Sequence, residues 1–166
     1  MAALRVPTSL AELSGTLVIP LSPDAVINSG PVSLPALGMV RSPKVLLNDS
    51  GVVFVGVPVP ATYKANSPVV LKWRWSSDAD SASAVDVAWR AQRMYRQALS
   101  SGGTITTVLK TDTFANISLL ADIETSVELP AAAVGDVLYV EIDRLSDTLF
   151  ANVLLHNAWI EIQVGP

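Results

Sequence analysis

A few small groups of residues in this chain could do chemistry. His156 is the single histidine, and a general base or metal ligand needs partners to orient it or share the load. Set between Leu155 and Asn157 just before an alternating run, it reads as a structural or surface residue. Glu141, Asp143 and Asp147 resemble the carboxylate pairs of glycosidases in type and spacing. Alternation places Glu141 and Asp143 together on an exposed strand face, where nothing raises a carboxyl pKa. Asp78 and Asp80, in Ser-Asp-Ala-Asp-Ser, could offer oxygens to calcium. Their loop lacks the further acidic ligand and the fixed glycine of a helix–loop–helix site, so a solvated turn is expected. Serines occur throughout, but none sits in a nucleophile elbow. Cysteine is absent, which removes disulfides, thiolate catalysis and thiolate zinc sites together. The residues give no catalytic site, no metal site and no cofactor, and the chain is expected not to be an enzyme.

Tryptophan is the stronger lead. Trp73, Trp75, Trp89 and Trp159 are large faces that bury well and can stack on ligands. The first three share strand faces with Val, Leu and Ala, which points to a core or a subunit interface. Trp159 shares its face with Glu161 and Gln163, so it is the candidate for an interface with a ligand or partner.

The elements that would position these groups are strands. Val69–Trp75 alternates Val69, Leu71, Trp73 and Trp75 with Lys72 and Arg74. Val85–Ala91 alternates Val85, Val87, Trp89 and Ala91 with Asp86 and Arg90. A period of two marks half-buried strands. Asp136–Asp143 turns Leu138, Val140 and Ile142 inward and Tyr139, Glu141 and Asp143 outward, and Trp159–Val164 closes the series. Further strands are expected at 52–57, 103–110, 113–120 and 124–129. Turn clusters of Ser, Asp, Asn and Gly separate them. The segment Trp89–Leu99 also contains good helix formers, yet the unbroken alternation upstream favours one long strand.

Proline divides the chain. Nine of its eleven prolines lie within the first 68 residues, which nearly excludes helices there. Residues 1–48 therefore read as an extended, proline-rich N-terminal arm with short strands such as Gly15–Pro20. Residues 49–166 read as a jelly-roll-like antiparallel β-sandwich. The fold class is all-β. The arm is apolar and poor in charge, unlike a disordered tail. Its Leu17, Ile19, Leu21, Leu34 and Leu37 are the candidate partner-binding residues.

Bulk composition supports an assembled chain. Half of the residues are hydrophobic and 16% are charged, against about 25% in an average soluble domain. Subunit contacts would cover part of that apolar surface. The net charge of −4 and the lack of a Lys/Arg run argue against nucleic acid as a partner. The apolar stretch Gly51–Tyr63 is shorter than the roughly 18 residues of a spanning helix and holds prolines, so no membrane partner is expected. The first residues lack the pattern of a secretory signal, and synthesis in a host cytoplasm is the expectation.

Several segments recur in order: Gly15-Thr-Leu-Val-Ile-Pro-Leu21, Val69-Val-Leu-Lys-Trp73, Val85-Asp-Val-Ala-Trp-Arg90, Ala133–Arg144 with Asp147 following, and Ala158-Trp-Ile-Glu-Ile-Gln163. Together they resemble small β-sandwich proteins from the structural gene modules of tailed bacteriophages. The most specific part is Gly135-Asp136, a strand, then Arg144-x-x-Asp147, with Leu145 and Ser146 intervening. The resemblance implies a structural virion protein, often trimeric, and transfers no functional residue. The expected role is a capsid decoration (cement) protein on the head surface. Its expected partners are its own copies, as a homotrimer, and the major capsid protein or another virion protein. The alternative is a tail-fibre or baseplate appendage module that binds a receptor or carbohydrate.

Overall fold

Alternating Val, Ile, Leu and Trp with no helix-period stripe commits this chain to strands. The structure is a computed structural model, and it describes residues 14–27, 44–46, 48–97 and 104–165. Among them are ten strands and no helix: β1 (Gly15–Leu21), β2 (Pro23–Ile27), β3 (Lys44–Leu46), β4 (Ser50–Pro58), β5 (Val69–Ser77), β6 (Val85–Gln97), β7 (Thr104–Phe114), β8 (Ile123–Leu129), β9 (Asp136–Arg144) and β10 (Val153–Val164).

They form two antiparallel sheets packed as a β-sandwich. Sheet A runs β1-β10-β5-β8, with β3 also paired to β10. Sheet B runs β2-β4-β9-β6-β7. The all-β sandwich expected from the sequence is thus the observed fold. The segment from Trp89 onward is strand through Gln97, in unbroken register with β7 from Val85 to Tyr95.

Two strand expectations are corrected. Strands read separately at 103–110 and 113–120 are one strand, β7, that ends at Phe114. Thr111 and Asp112 look like turn residues. Asp112 instead accepts hydrogen bonds from Trp89 Nε1 at 3.1 Å and from the Thr125 hydroxyl, so the polar group is satisfied inside the strand. Residues 115–120 form a loop, and Leu120 adopts φ 56°.

The N-terminal segment also differs from a free arm. β1 pairs with β10 over its whole length, Gly15 opposite Val164 through Leu21 opposite Ala158. The chain then crosses at Ser22 to the other sheet, where β2 pairs with β4. These strands cover edges that would otherwise expose unpaired N–H and C=O groups. Pro20 is tolerated because β1 is itself an edge. In register, Leu17, Ile19 and Leu21 lie opposite the inward-facing Ile162, Ile160 and Ala158. Leu21 is buried and Ile19 packs on the core. Leu21 thus buries, and Ile19 partly buries, against the chain's own sheets. Leu17 retains partial exposure. Leu34 and Leu37 lie outside the described residues.

The core is aromatic at its centre. Trp73 and Trp75 from sheet A meet Trp89 from sheet B edge to face, with ring centroids 5.3 and 5.4 Å apart. Phe114 adds a third such contact to Trp75 at 5.7 Å. All three indoles are fully buried, and each such pair contributes roughly 0.5–1.5 kcal/mol beyond its area burial. Trp75 Nε1 donates to Thr125 Oγ1 at 2.9 Å. Both sheets therefore share one anchor, and their outward faces are held in fixed relation.

Candidate functional site

Outward-facing side chains of sheet A come from β10, β5 and β8. Trp159 stands here, opposite Pro20 on one side and Lys72 on the other. Its Nε1 donates to Glu161 Oε1 at 3.1 Å, and the Arg74 guanidinium lies 5.8 Å from its ring centroid. Lys72 pairs with Glu161 at 3.0 Å and Glu124 at 3.6 Å, and Arg74 pairs with Glu124 and Asp122 at 3.6 Å. The Trp159 hydrogen bond, followed by Lys72, holds the Glu161 carboxyl below its ordinary pKa. Glu161 in turn raises Lys72. The candidate interface tryptophan is half-buried inside a lattice of alternating charge.

His156 sits in the β10 bulge between Leu155 and Asn157. Its Nε2 is 2.8 Å from Ser76 Oγ. Burial lowers its pKa, with Asp122 opposing. Its contacts are those of a structural residue. Asp78 accepts from both the backbone N–H and the side-chain amide of Asn152, and Asp80 accepts from the Leu119 N–H. These carboxylates staple loops together. Among the described residues no group of three or more His, Cys, Asp or Glu could hold a metal.

Sheet B presents a different outward face. Register places Gly51, Asp143, Arg90 and Leu109 in one cross-strand row, and Val53, Glu141, Gln92 and Thr107 in the next. A third row joins Tyr139, Met94 and Ile105. Glycine on β4 makes the arrangement possible. A Cβ on Gly51 would lie 1.9 Å from Asp143 Oδ1, and one on Gly56 would lie 2.8 Å from the Tyr139 ring. Asp143 folds down over Gly51 and is buried, with Arg90 Nε 2.9 Å from its Oδ2.

The expectation that Asp143 is exposed is therefore corrected, and the inference drawn for Glu141 falls with it. Burial, followed by a hydrogen bond to Asp143 and the charge of Asp143, raises the Glu141 pKa to about 7, with Arg90 opposing. Glu141 can thus carry a proton near neutral pH. Beside them lies a groove of about 190 Å³ whose apolar walls are Val53, Met94, Ile105 and Tyr139. Ile105 and Leu109 are 62% and 69% exposed. Of this site the sequence singled out Glu141 and Asp143. Arg90, Gly51, Met94 and Ile105 join them only through strand register, a signal no single strand contains.

The end of the sandwich beyond β9 gives the Gly-Asp…Arg-x-x-Asp segment its physical meaning. Gly135 takes φ 85°, and Asp136 Oδ2 accepts the Ala133 N–H at 3.0 Å, closing the turn that starts β9. At the far end, Arg144 and Asp147 form a buried pair, with Nη2–Oδ1 2.9 Å and Nε–Oδ2 3.0 Å. Arg144 also donates to the Leu149 and Ala151 carbonyls, each at 2.6 Å. Asp147 accepts the Leu149 and Ala88 N–H groups. Phe150, between the two clamped carbonyls, is 102% exposed.

No protein-family model matches the chain, and a comparison with curated proteins returns no match. Among solved structures, the CBM36-1 domain of a multidomain xylanase from the hindgut metagenome of Trinervitermes trinervoides is similar at 9% identity and a TM-score of 0.47, covering 88% of this chain and 96% of that one. The CBM22-1 xylan-binding domain from Paenibacillus barcinonensis is similar at 10% identity and a TM-score of 0.43, covering 94% and 99%. At scores this low no ligand or residue role passes to this chain, and the two-sheet fold rests on its own strand pairing.

Proposed function

We propose that this chain is a non-enzymatic structural subunit of a virion, a decoration (cement) protein bound to the head surface of a tailed bacteriophage and assembled as a homotrimer. The observation that carries the reading is the outward face of sheet B. Val55, Ile105 and Leu109 are exposed there beside the Tyr139–Met94 groove, whereas the opposite face is covered by ion pairs. Exposed apolar surface of this kind is characteristic of a contact surface. The virion setting comes from the sequence resemblance. The Glu141 and Asp143 carboxyls lie beside this open groove, and their partial burial fits a surface covered by a partner.

The test is co-sedimentation of the purified full chain with phage heads stripped of accessory proteins. Attachment to assembled heads, with none to unassembled capsid subunits, is the expected result, because a cement protein stabilises the lattice it binds. Failure to attach to heads removes this reading.

A second reading, an appendage module that binds carbohydrate, draws on Trp159 with its flanking charges and on Tyr139 beside Gln92 and Glu141. A glycan array with wild type and Trp159→Ala decides it. Wild-type binding that the substitution abolishes would establish a glycan site, and an array without signal removes this reading. Labelling intact particles then separates head from tail.

A further inference from the structure

The most exposed large apolar side chain among the described residues is also one of the most firmly presented. Phe150 is fully in solvent, a position that loses the favourable transfer of a phenyl ring out of water. Its backbone, however, is fixed from below. Arg144 is bonded to the carbonyls on either side of residue 150 and is neutralised by Asp147, with both side chains almost wholly buried. A loop that merely connected β9 to β10 would not need a buried ion pair to hold its tip. An aromatic carried on a fixed backbone loses little backbone entropy when it docks, which is one way preorganised anchors gain affinity.

The same chain carries a recess that fits it. The groove on the outward face of sheet B, walled by Val53, Met94, Ile105 and Tyr139, has a volume of about 190 Å³. An apolar cavity of about 150 Å³ is enough to hold a benzene ring. Phe150 cannot reach its own groove, because Tyr139 and Arg144 are five residues apart on β9, about 17 Å along a strand. The Phe150 loop is ringed by exposed Asp49, Asp78 and Asp86, each bonded to it through Ser146, Asn152 or Thr148. Beside the groove Arg90 is already paired with Asp143 and Glu141 lies on the wall, so apolar fit carries the contact.

We propose that Phe150 of one copy inserts into the Val53–Met94–Ile105–Tyr139 groove of the next, so that this chain assembles head to tail through a knob and a socket. The two patches are different surfaces of one molecule, so the contact is heterologous. Such contacts give a closed ring when the rotation between copies closes. This inference rests on the assembly reading above and names its self-contact.

Sedimentation velocity on the full chain tests it with two complementary variants. Phe150→Ala removes the knob and keeps the socket, while Ile105→Glu spoils the socket and keeps the knob. Wild type is expected to sediment as a ring, a trimer under the proposed function. Each variant alone is expected as a monomer, its contact weakened roughly 30-fold or more. Mixed at equal concentration, well above the level at which wild type assembles, the two have one intact knob and one intact socket between them. They should form a dimer and nothing larger. Tryptophan fluorescence and thermal unfolding confirm that each variant is folded, and Met94→Glu replaces Ile105→Glu if the latter is not. A monomeric wild type, an oligomer that survives Phe150→Ala, or a mixture that stays monomeric overturns the proposal. A monomeric wild type that still binds heads overturns the knob-and-socket contact alone. A ring that ignores heads overturns virion attachment alone.

Discussion

On the outward face of sheet A, Lys72, Arg74, Glu124 and Glu161 alternate in sign around Trp159. On the outward face of sheet B, Val53, Met94, Ile105 and Tyr139 flank one row in which Arg90 meets Asp143 over a glycine. Both faces arise from the same two-residue period, and both lean on the same three tryptophans. What differs is the chemistry of the outward positions and the room left beneath them. Small exposed ion pairs keep a face wet and contribute little to stability. A buried carboxylate pinned by glycine and arginine turns a face into a shaped surface. Water is the natural neighbour of the first face, and under the proposed function protein covers the second.

The largest effect is expected at the clamp below Phe150, which presents the knob proposed to enter the second face. Arg144→Met leaves the Asp147 carboxylate buried without its cation and frees two carbonyls. Removing one partner of a buried pair costs about 3–5 kcal/mol. Urea unfolding should show that loss, and a change below about 1 kcal/mol would mean that the pair is not the latch described here.

Next in size is Gly51→Ala. The new Cβ would sit 1.9 Å from Asp143 Oδ1 and 3.2 Å from the Ile142 carbonyl oxygen, which is backbone and cannot swing away. Asp143 must then leave Arg90 or the strands must part. Overpacking of this kind costs about 1–3 kcal/mol. Thermal unfolding of Gly51→Ala alone and combined with Asp143→Ala separates the causes. The second substitution should recover part of the loss if the clash is with that carboxylate.

These outward positions mark where the sequence could and could not be read. Alternation within β5, β6 and β10 gave the right inward faces, and the burial of Trp73, Trp75 and Trp89 was legible from the company each keeps on its own strand. Asp143 was not. Its burial depends on Gly51 and Arg90, which are its neighbours across the sheet and lie 92 and 53 positions away in the chain. The pairing of the N-terminal strands was hidden for a related reason. Gly15–Leu21 and Pro23–Ile27 look like an arm because prolines interrupt them, yet an edge strand uses one side of its backbone and tolerates such breaks. The Gly-Asp…Arg-x-x-Asp segment stands out by pattern, but only the folded chain makes it a turn cap and a buried latch.

Glu141 gives a smaller, pH-dependent effect. Its carboxyl has an ordinary pKa of 4.5 and is raised to about 7 in the folded chain. The folded state therefore holds its proton more tightly than the unfolded chain, so stability falls as pH rises from about 4.5 through about 7. Above that window the full deficit is present. Glu141→Gln removes the titration. It should leave stability nearly unchanged at pH 4 and raise it at pH 8, by on the order of 1 kcal/mol once solvent screening is allowed for. Denaturation midpoints across that pH range check this, and parallel curves for wild type and variant would show that the carboxyl does not titrate there.

The smallest effect is expected on the charged face, and its smallness is the point. Arg74→Gln removes two ion pairs of 3.6 Å and the guanidinium near Trp159, with Arg74 49% exposed and Asp122 65% exposed. Exposed pairs contribute about 0.2–1 kcal/mol each, two that share one guanidinium at 3.6 Å fall at the low end, and salt screens what remains. The variant should lose at most about 1 kcal/mol, and the difference should shrink as ionic strength rises. It should also leave the sedimentation behaviour of the chain untouched, because no part of the Phe150 loop or of the groove on sheet B rests on this residue. If Arg74→Gln instead dissolved the oligomer while Ile105→Glu did not, the two faces would have exchanged roles, and the surface around Trp159 would be the one that meets protein.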